Sequence, residues 1–148
     1  REQLRDAPWV TGKRDRGRQV YEQQGCVRCH DGAPGVGPDL RGITSTLSPT
    51  GIMRTVLFPH HDVQPGNELV RVTLRDGRQL LGHVVFESPE ILLLQQDTDE
   101  TGTWKTVRLA QANIVTRRPT WLSSMPSGLM KGANGRDLAD LYAYLQSL

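Results

Sequence analysis

The sequence predicts a small, mainly α core interrupted by an antiparallel β insert. Three observations carry this expectation. Helical periodicity marks two stretches, 17–24 and 135–145, near opposite ends of a 148-residue chain. Between them, from Glu68 to about Arg117, branched and polar residues alternate in short runs separated by turn signals. Segments rich in Gly, Pro, Ser and Thr lie on both sides of that block, at 31–51 and after Pro119. The expected organisation is a tail or linker over 1–15, a helical domain split between 16–61 and 119–148, and a β-rich insert over 62–118.

The elements follow in order. Residues 1–15 are polar, and Pro8 and Gly12 interrupt any long helix. Gly17 to Gln24 places Val20 on the Gly17/Tyr21 side of a helix that runs into Gly25. A short helix is expected at about 50–58, with Ile52 and Val56 facing inward, joined by Met53 and Leu57. Leu69 to Leu74 reads as a strand and Asp76-Gly77 as a hairpin turn. Gln79 to Phe86 is a second strand with a bend at Gly82, and Ile91 to Gln95 a third. A turn at Asp99 to Gly102, a strand over Trp104 to Leu109 and a short strand at Ile114 to Thr116 complete the block. The closing helix carries Leu138, Leu141, Tyr142 and Leu145 on one stripe.

Composition narrows the classes of function. A formal net charge of +2 is far from the basic footprint of a nucleic-acid binder. No run of about 18 apolar residues is present, so no membrane span is expected. The charged first residues do not read as a signal peptide, so a mature form or a fragment of a longer protein is expected. The two cysteines, Cys26 and Cys29, cannot make a multi-bridge framework, and their local chemistry must explain them.

Cys26-Val27-Arg28-Cys29-His30 is a C-x-x-C-H. Thiols three apart match the two vinyl groups of haem, and the adjacent His lies where it can ligate the iron. A thioredoxin-like redox pair would need a βαβ context that the pattern lacks. A zinc half-site would need two further Cys or His at sensible spacing. With 36% hydrophobic and 5% aromatic residues, the chain is lean in core material, and a porphyrin would supply apolar mass.

In four ordered places the chain resembles class I cytochromes c. These are Gly17 and Tyr21 before the motif, Gly37-Pro38-Asp39-Leu40 after it, Met125-Pro126, and Leu141 to Leu145. The resemblance implies a mainly α cytochrome c fold of class I holding one covalent haem c on Cys26, Cys29 and His30. In such proteins the carbonyl of the Pro, here Pro38, accepts the proximal histidine's Nδ1–H and raises its basicity. Leu40 would pack on the proximal haem face, and Met125 would be the sixth ligand, making His30 and Met125 the iron ligands. Gly17 would let two helices cross closely, with Tyr21 and Tyr144 nearby. The resemblance departs where about 60 residues separate the helix ending near Pro59 from the Met loop. That split is similar to a haem-binding domain type fused to dehydrogenase-like proteins of planctomycetes and verrucomicrobia, including the Met125 to Leu129 run. The insert resembles Sm-like or SH3-like barrels, without the basic and aromatic cluster of an RNA binder.

Other residues carry weaker signals. His60-His61-Asp62 reads as a solvated loop, His83 as a surface or packing histidine, and Met53 as core. Met130 is a rival to Met125. Arg41, Arg54 and Trp121 are candidates for haem propionates, and Arg117-Arg118 reads as a solvated pair. The expected function is one-electron transfer to or from a redox partner protein or an upstream dehydrogenase domain, without catalysis at the iron. A gas-binding or peroxidatic haem is the alternative if Met125 does not ligate. Attachment through this motif implies a periplasmic or otherwise extracytoplasmic location.

Overall fold

The computed structural model describes residues 2–31, 37–97 and 104–148. The chain divides into two units, each with its own apolar cluster. The first is built from residues 2–31, 38–62 and 126–148, the second from 63–97 and 104–125.

The first unit is helical. Its elements are α1 (Glu2–Arg5), α2 (Arg14–Gln23), α3 (Ile43–Thr46), α4 (Pro49–Leu57) and α5 (Gly135–Leu145), with 3-10 turns at Trp9–Thr11 and Cys26–Arg28. Each of the two best-defined starts has a chemical cause. Ser48 Oγ accepts the Gly51 N–H at the head of α4, with Pro49 at the first helical position. Asn134 Oδ1 accepts the N–H groups of Arg136 and Asp137, and Asp137 returns a bond to the Asn134 N–H. The apolar stripe of α5 is buried together with Tyr21, Ile52, Met53 and Met130.

Helix α2 lies unusually close to α5. A Cβ on Gly17 would sit 1.8 Å from the Asp140 carbonyl oxygen, so only glycine fits there. The Tyr21 and Tyr144 rings meet one turn along, with centroids 5.1 Å apart. Asp140, a charged residue wholly buried, joins the same contact. Its Oδ1 accepts the Lys13 N–H at 2.7 Å, and its Oδ2 lies 3.4 Å from Arg16 Nε. The ion pair with Arg16 is what partners Oδ2, which makes no hydrogen bond of its own.

Within the stretch expected as a tail or linker, a few side chains pack while most are exposed. Leu4 and Ala7 are buried, and Trp9 stands edge-on to Tyr142 at 6.1 Å. Such scattered apolar residues show no periodicity, yet Leu4 belongs to the helical core and Trp9 packs against it, while Val10 is exposed.

The second unit is an antiparallel sheet of β1 (Glu68–Leu74), β2 (Gln79–Glu87), β3 (Ile91–Asp97), β4 (Trp104–Ala110) and β5 (Ile114–Ser123). Their order is β4-β3-β2-β1-β5. Val70 pairs with Gly82 and Val72 with Leu80, and the Asp76-Gly77 turn closes this hairpin with Gly77 at φ 86°. Alternate residues Val70, Val72, Leu74, Leu92, Leu94 and Leu109 form the buried face. Register shifts interrupt the β1–β5 and β2–β3 ladders. The turn expected at Asp99 to Gly102 lies outside the described residues.

These observations correct the fold class. A mainly α cytochrome c fold does not describe a chain with short helices and a five-stranded antiparallel sheet, in which strands make up 29% of the described residues. Among the described strands, β4 and β5 each have a hydrogen-bonded neighbour on one side only. The physical reason is the length of alternating sequence. Five strands bury an apolar face of their own, which makes a second core rather than a decoration on the helical one.

Candidate functional site

The motif sits where α2 hands over to irregular chain. Gly25, at φ 75°, turns the backbone, and the 3-10 turn Cys26–Arg28 follows. The Cys26 carbonyl accepts the N–H groups of both Cys29 (3.2 Å) and His30 (3.0 Å). One turn therefore carries both sulfurs and the histidine. Cys26 and Cys29 are both half-buried, and no disulfide joins them. Burial pushes the Cys26 thiol up to about 11, with the neighbouring Cys29 adding to the effect.

His30 is held at its ring and its backbone. Its Nδ1 lies 2.8 Å from the Pro38 carbonyl oxygen. A carbonyl can only accept, so this bond requires the proton on Nδ1 and leaves the lone pair on Nε2. The His30 carbonyl accepts from the Tyr21 hydroxyl, also at 2.8 Å. Burial pushes Tyr21 up to about 12, with the charges of Cys26, Tyr144, Asp31 and Cys29 contributing less.

An apolar fringe accompanies the motif. Leu40, Ile43, Val56 and Leu57 are partly buried against the same helical core as Cys26. Next to Leu40, Asp39 and Arg41 form an exposed ion pair that holds the Asp39 carboxyl down to about 2. Arg41 is thus engaged by Asp39, while Arg54 is exposed on α4 and Trp121, 90% exposed, lies on β5 in the sheet unit.

The three methionines differ in burial. Met53 and Met130 are packed in the helical core, at 0% and 4% exposed. Met125 is half-buried in the bend after β5, and its N–H donates to Ser123 Oγ at 3.0 Å. His61 Nδ1 is 3.3 Å from Asp62, and both are exposed. Among the described residues no three His, Cys, Asp or Glu side chains cluster as a metal site. His83 is half-buried on β2 opposite Gln95, and burial lowers its pKa. Among the described residues no helix is long and apolar enough to cross a membrane.

A family model described as cytochrome c oxidase, cbb3-type, subunit III matches residues 12–77. The match supports a cytochrome c family. It spans Gly17, Tyr21, the C-x-x-C-H, Pro38, Leu40 and α4, and ends in the first hairpin of the sheet. No curated protein matches the chain. Such a family implies covalently bound haem c, electron transfer and a redox partner.

The residues present fit that group. Two sulfurs unlinked by a disulfide share one turn, the adjacent imidazole donates through Nδ1 so that Nε2 would be its ligating nitrogen, and apolar side chains are partly buried against the same core as Cys26. Sequence reasoning missed two contributors, Asp140 and the Tyr21 hydroxyl. An Asp in an amphipathic helix gives no sign of burial, and a tyrosine hydroxyl gives no sign of its partner.

Proposed function

We propose that this chain is a c-type cytochrome in which Cys26 and Cys29 would hold one haem covalently and His30 and Met125 would ligate its iron. The observation that carries the reading is the Nδ1–H bond from His30 to the Pro38 carbonyl inside a C-x-x-C-H. That bond fixes the tautomer a metal-bound histidine needs and makes Nε2 more basic. Haem supplies the one-electron step, its iron alternating between ferric and ferrous states. Leu40 contributes an apolar side chain that keeps water from the proximal side, and Met125 contributes a soft thioether that favours ferrous iron.

Met125 is preferred because the other two methionines are held in the helical core. It lies in irregular chain, and Pro126 restricts the backbone beside it. The reading extends to an extracytoplasmic location, where attachment through this motif takes place. Its partner is a separate redox protein or a dehydrogenase domain, as in the planctomycete and verrucomicrobial type whose Met-Pro-x-Gly-Leu run Met125 to Leu129 matches.

Two measurements test this. Denaturing electrophoresis with a haem stain should show covalent haem in the wild type and none in the double variant Cys26→Ala/Cys29→Ala. Haem retained by the double variant would overturn the attachment. The ferric protein should show a weak far-red sulfur-to-iron band that Met125→Ala abolishes, with carbon monoxide then binding the reduced protein. A wild type without that band, binding carbon monoxide directly, would instead indicate a gas-binding or peroxidatic site.

A further inference from the structure

His30 is the point at which regular structure ends. The 3-10 turn Cys26–Arg28 stops before it, and neither His30 nor Asp31 belongs to a helix or strand. Its N–H is held by the Cys26 carbonyl, and its ring by Pro38. Its own carbonyl belongs to no helix or strand, and it is taken by Tyr21 Oη at 2.8 Å, the usual length for an O–H···O bond.

Tyr21 is well placed to hold it. It sits in the last turns of α2 at 4% exposure, its ring against Tyr144 of α5. The same helix is locked on α5 by the Gly17 approach to the Asp140 carbonyl and by the Lys13 N–H on Asp140 Oδ1. The hydroxyl is therefore delivered from the most tightly packed contact of the helical unit.

We propose that Tyr21 is a positioning residue for His30, its hydroxyl fixing the His30 carbonyl so that the imidazole keeps both its bond to Pro38 and its aim at the iron. The proposal rests on the reading of Cys26, Cys29 and His30 as the haem attachment site. Tyr21 touches the ligand's backbone only, and ring packing and hydrogen bonding are separable functions of the same side chain. Burial keeps the phenol protonated, and hence a donor, well above neutral pH.

The test is Tyr21→Phe in the holoprotein, which preserves the ring on Tyr144 and removes the donor. The readouts are the haem stain, solvent exchange of the His30 Nδ1–H by NMR of the ferrous protein, and the midpoint potential. Covalent haem should be retained, Nδ1–H exchange should quicken about fivefold, the factor a hydrogen bond of ordinary net strength supplies, and the potential should rise as His30 loses basicity. Tyr144→Leu, which disturbs the ring contact and leaves the hydroxyl, should leave exchange and potential near wild type. Unchanged exchange and potential in a haem-loaded Tyr21→Phe protein would overturn the proposal, as would equal changes in Tyr144→Leu. A wild type without covalent haem would overturn the reading of the site, and the proposal with it.

Discussion

Gly17→Ala should destabilise the helical unit far more than a single methyl normally does. The added Cβ would lie 1.8 Å from the Asp140 carbonyl oxygen, 2.5 Å from its carbon and 2.8 Å from Tyr144 Cβ. The first two are backbone atoms of α5 and cannot rotate away. To reach the 3.4 Å of ordinary contact, α2 must retreat by about 1.6 Å. A gap of about 0.5–1 Å already forfeits a quarter to a half of a contact's dispersion energy. The Tyr21–Tyr144 contact and the Lys13–Asp140 bond both lie across the same seam. Overpacking typically costs about 1–3 kcal/mol, and a backbone clash of this depth belongs at the top of that range. Alanine returns about 1 kcal/mol of helix propensity relative to glycine, leaving a net loss of about 2 kcal/mol. Urea unfolding followed by circular dichroism, with the haem attached, measures it. Gly51→Ala is the control, because its Cβ would meet the Ser48 side chain at 3.2 Å rather than backbone, and it should be near neutral. If Gly17→Ala unfolds at the same urea concentration as wild type, the close helix crossing is not as described.

Asn134→Ala removes two bonds to the first turn of α5 and one half of a capping box, and should cost about 1 kcal/mol in the same unfolding assay. In the haem-free chain, Cys26 has a thiol pKa raised from its ordinary 9.0 to about 11 by burial. At pH 8 its alkylation should be about 100-fold slower than in the denatured chain, since each unit of pKa is a tenfold change in thiolate. Because the folded value is the higher one, the stability linked to Cys26 is complete below pH 9.0 and is lost as pH rises from there to about 11, which an alkaline unfolding series should show. An alkylation rate equal to that of the denatured chain would mean that the folded apoprotein does not bury this sulfur.

What the sequence determined by itself is what depends on short-range spacing. The C-x-x-C-H places two sulfurs and an imidazole on one turn because neighbouring residues cannot be elsewhere. The stripe of α5, the start of α4 within a residue or so, and the Asp76-Gly77 hairpin likewise follow from periodicity and turn chemistry. Tertiary structure decided the rest. Asp140 is buried because it meets Lys13, 127 positions away. Leu4 is core, and Trp9 packs on it, because α4 and α5 leave room for them, not because their own stretch looks apolar. β5 runs on through Pro119 to Ser123, beyond the three residues expected, since β1 offers it a partner and an edge strand tolerates a proline without an N–H. The fold class turned on the same point. Alternation announced strands, but only their pairing into one sheet with a separate apolar face showed that the β part is a unit in its own right. At the site, the bond from His30 to the Pro38 carbonyl was implied by resemblance, whereas the Tyr21 hydroxyl on the His30 carbonyl depends on how α2 leans on α5. Covalent spacing fixes neighbours along the chain, and it carries no information about which distant backbone will come within 3 Å.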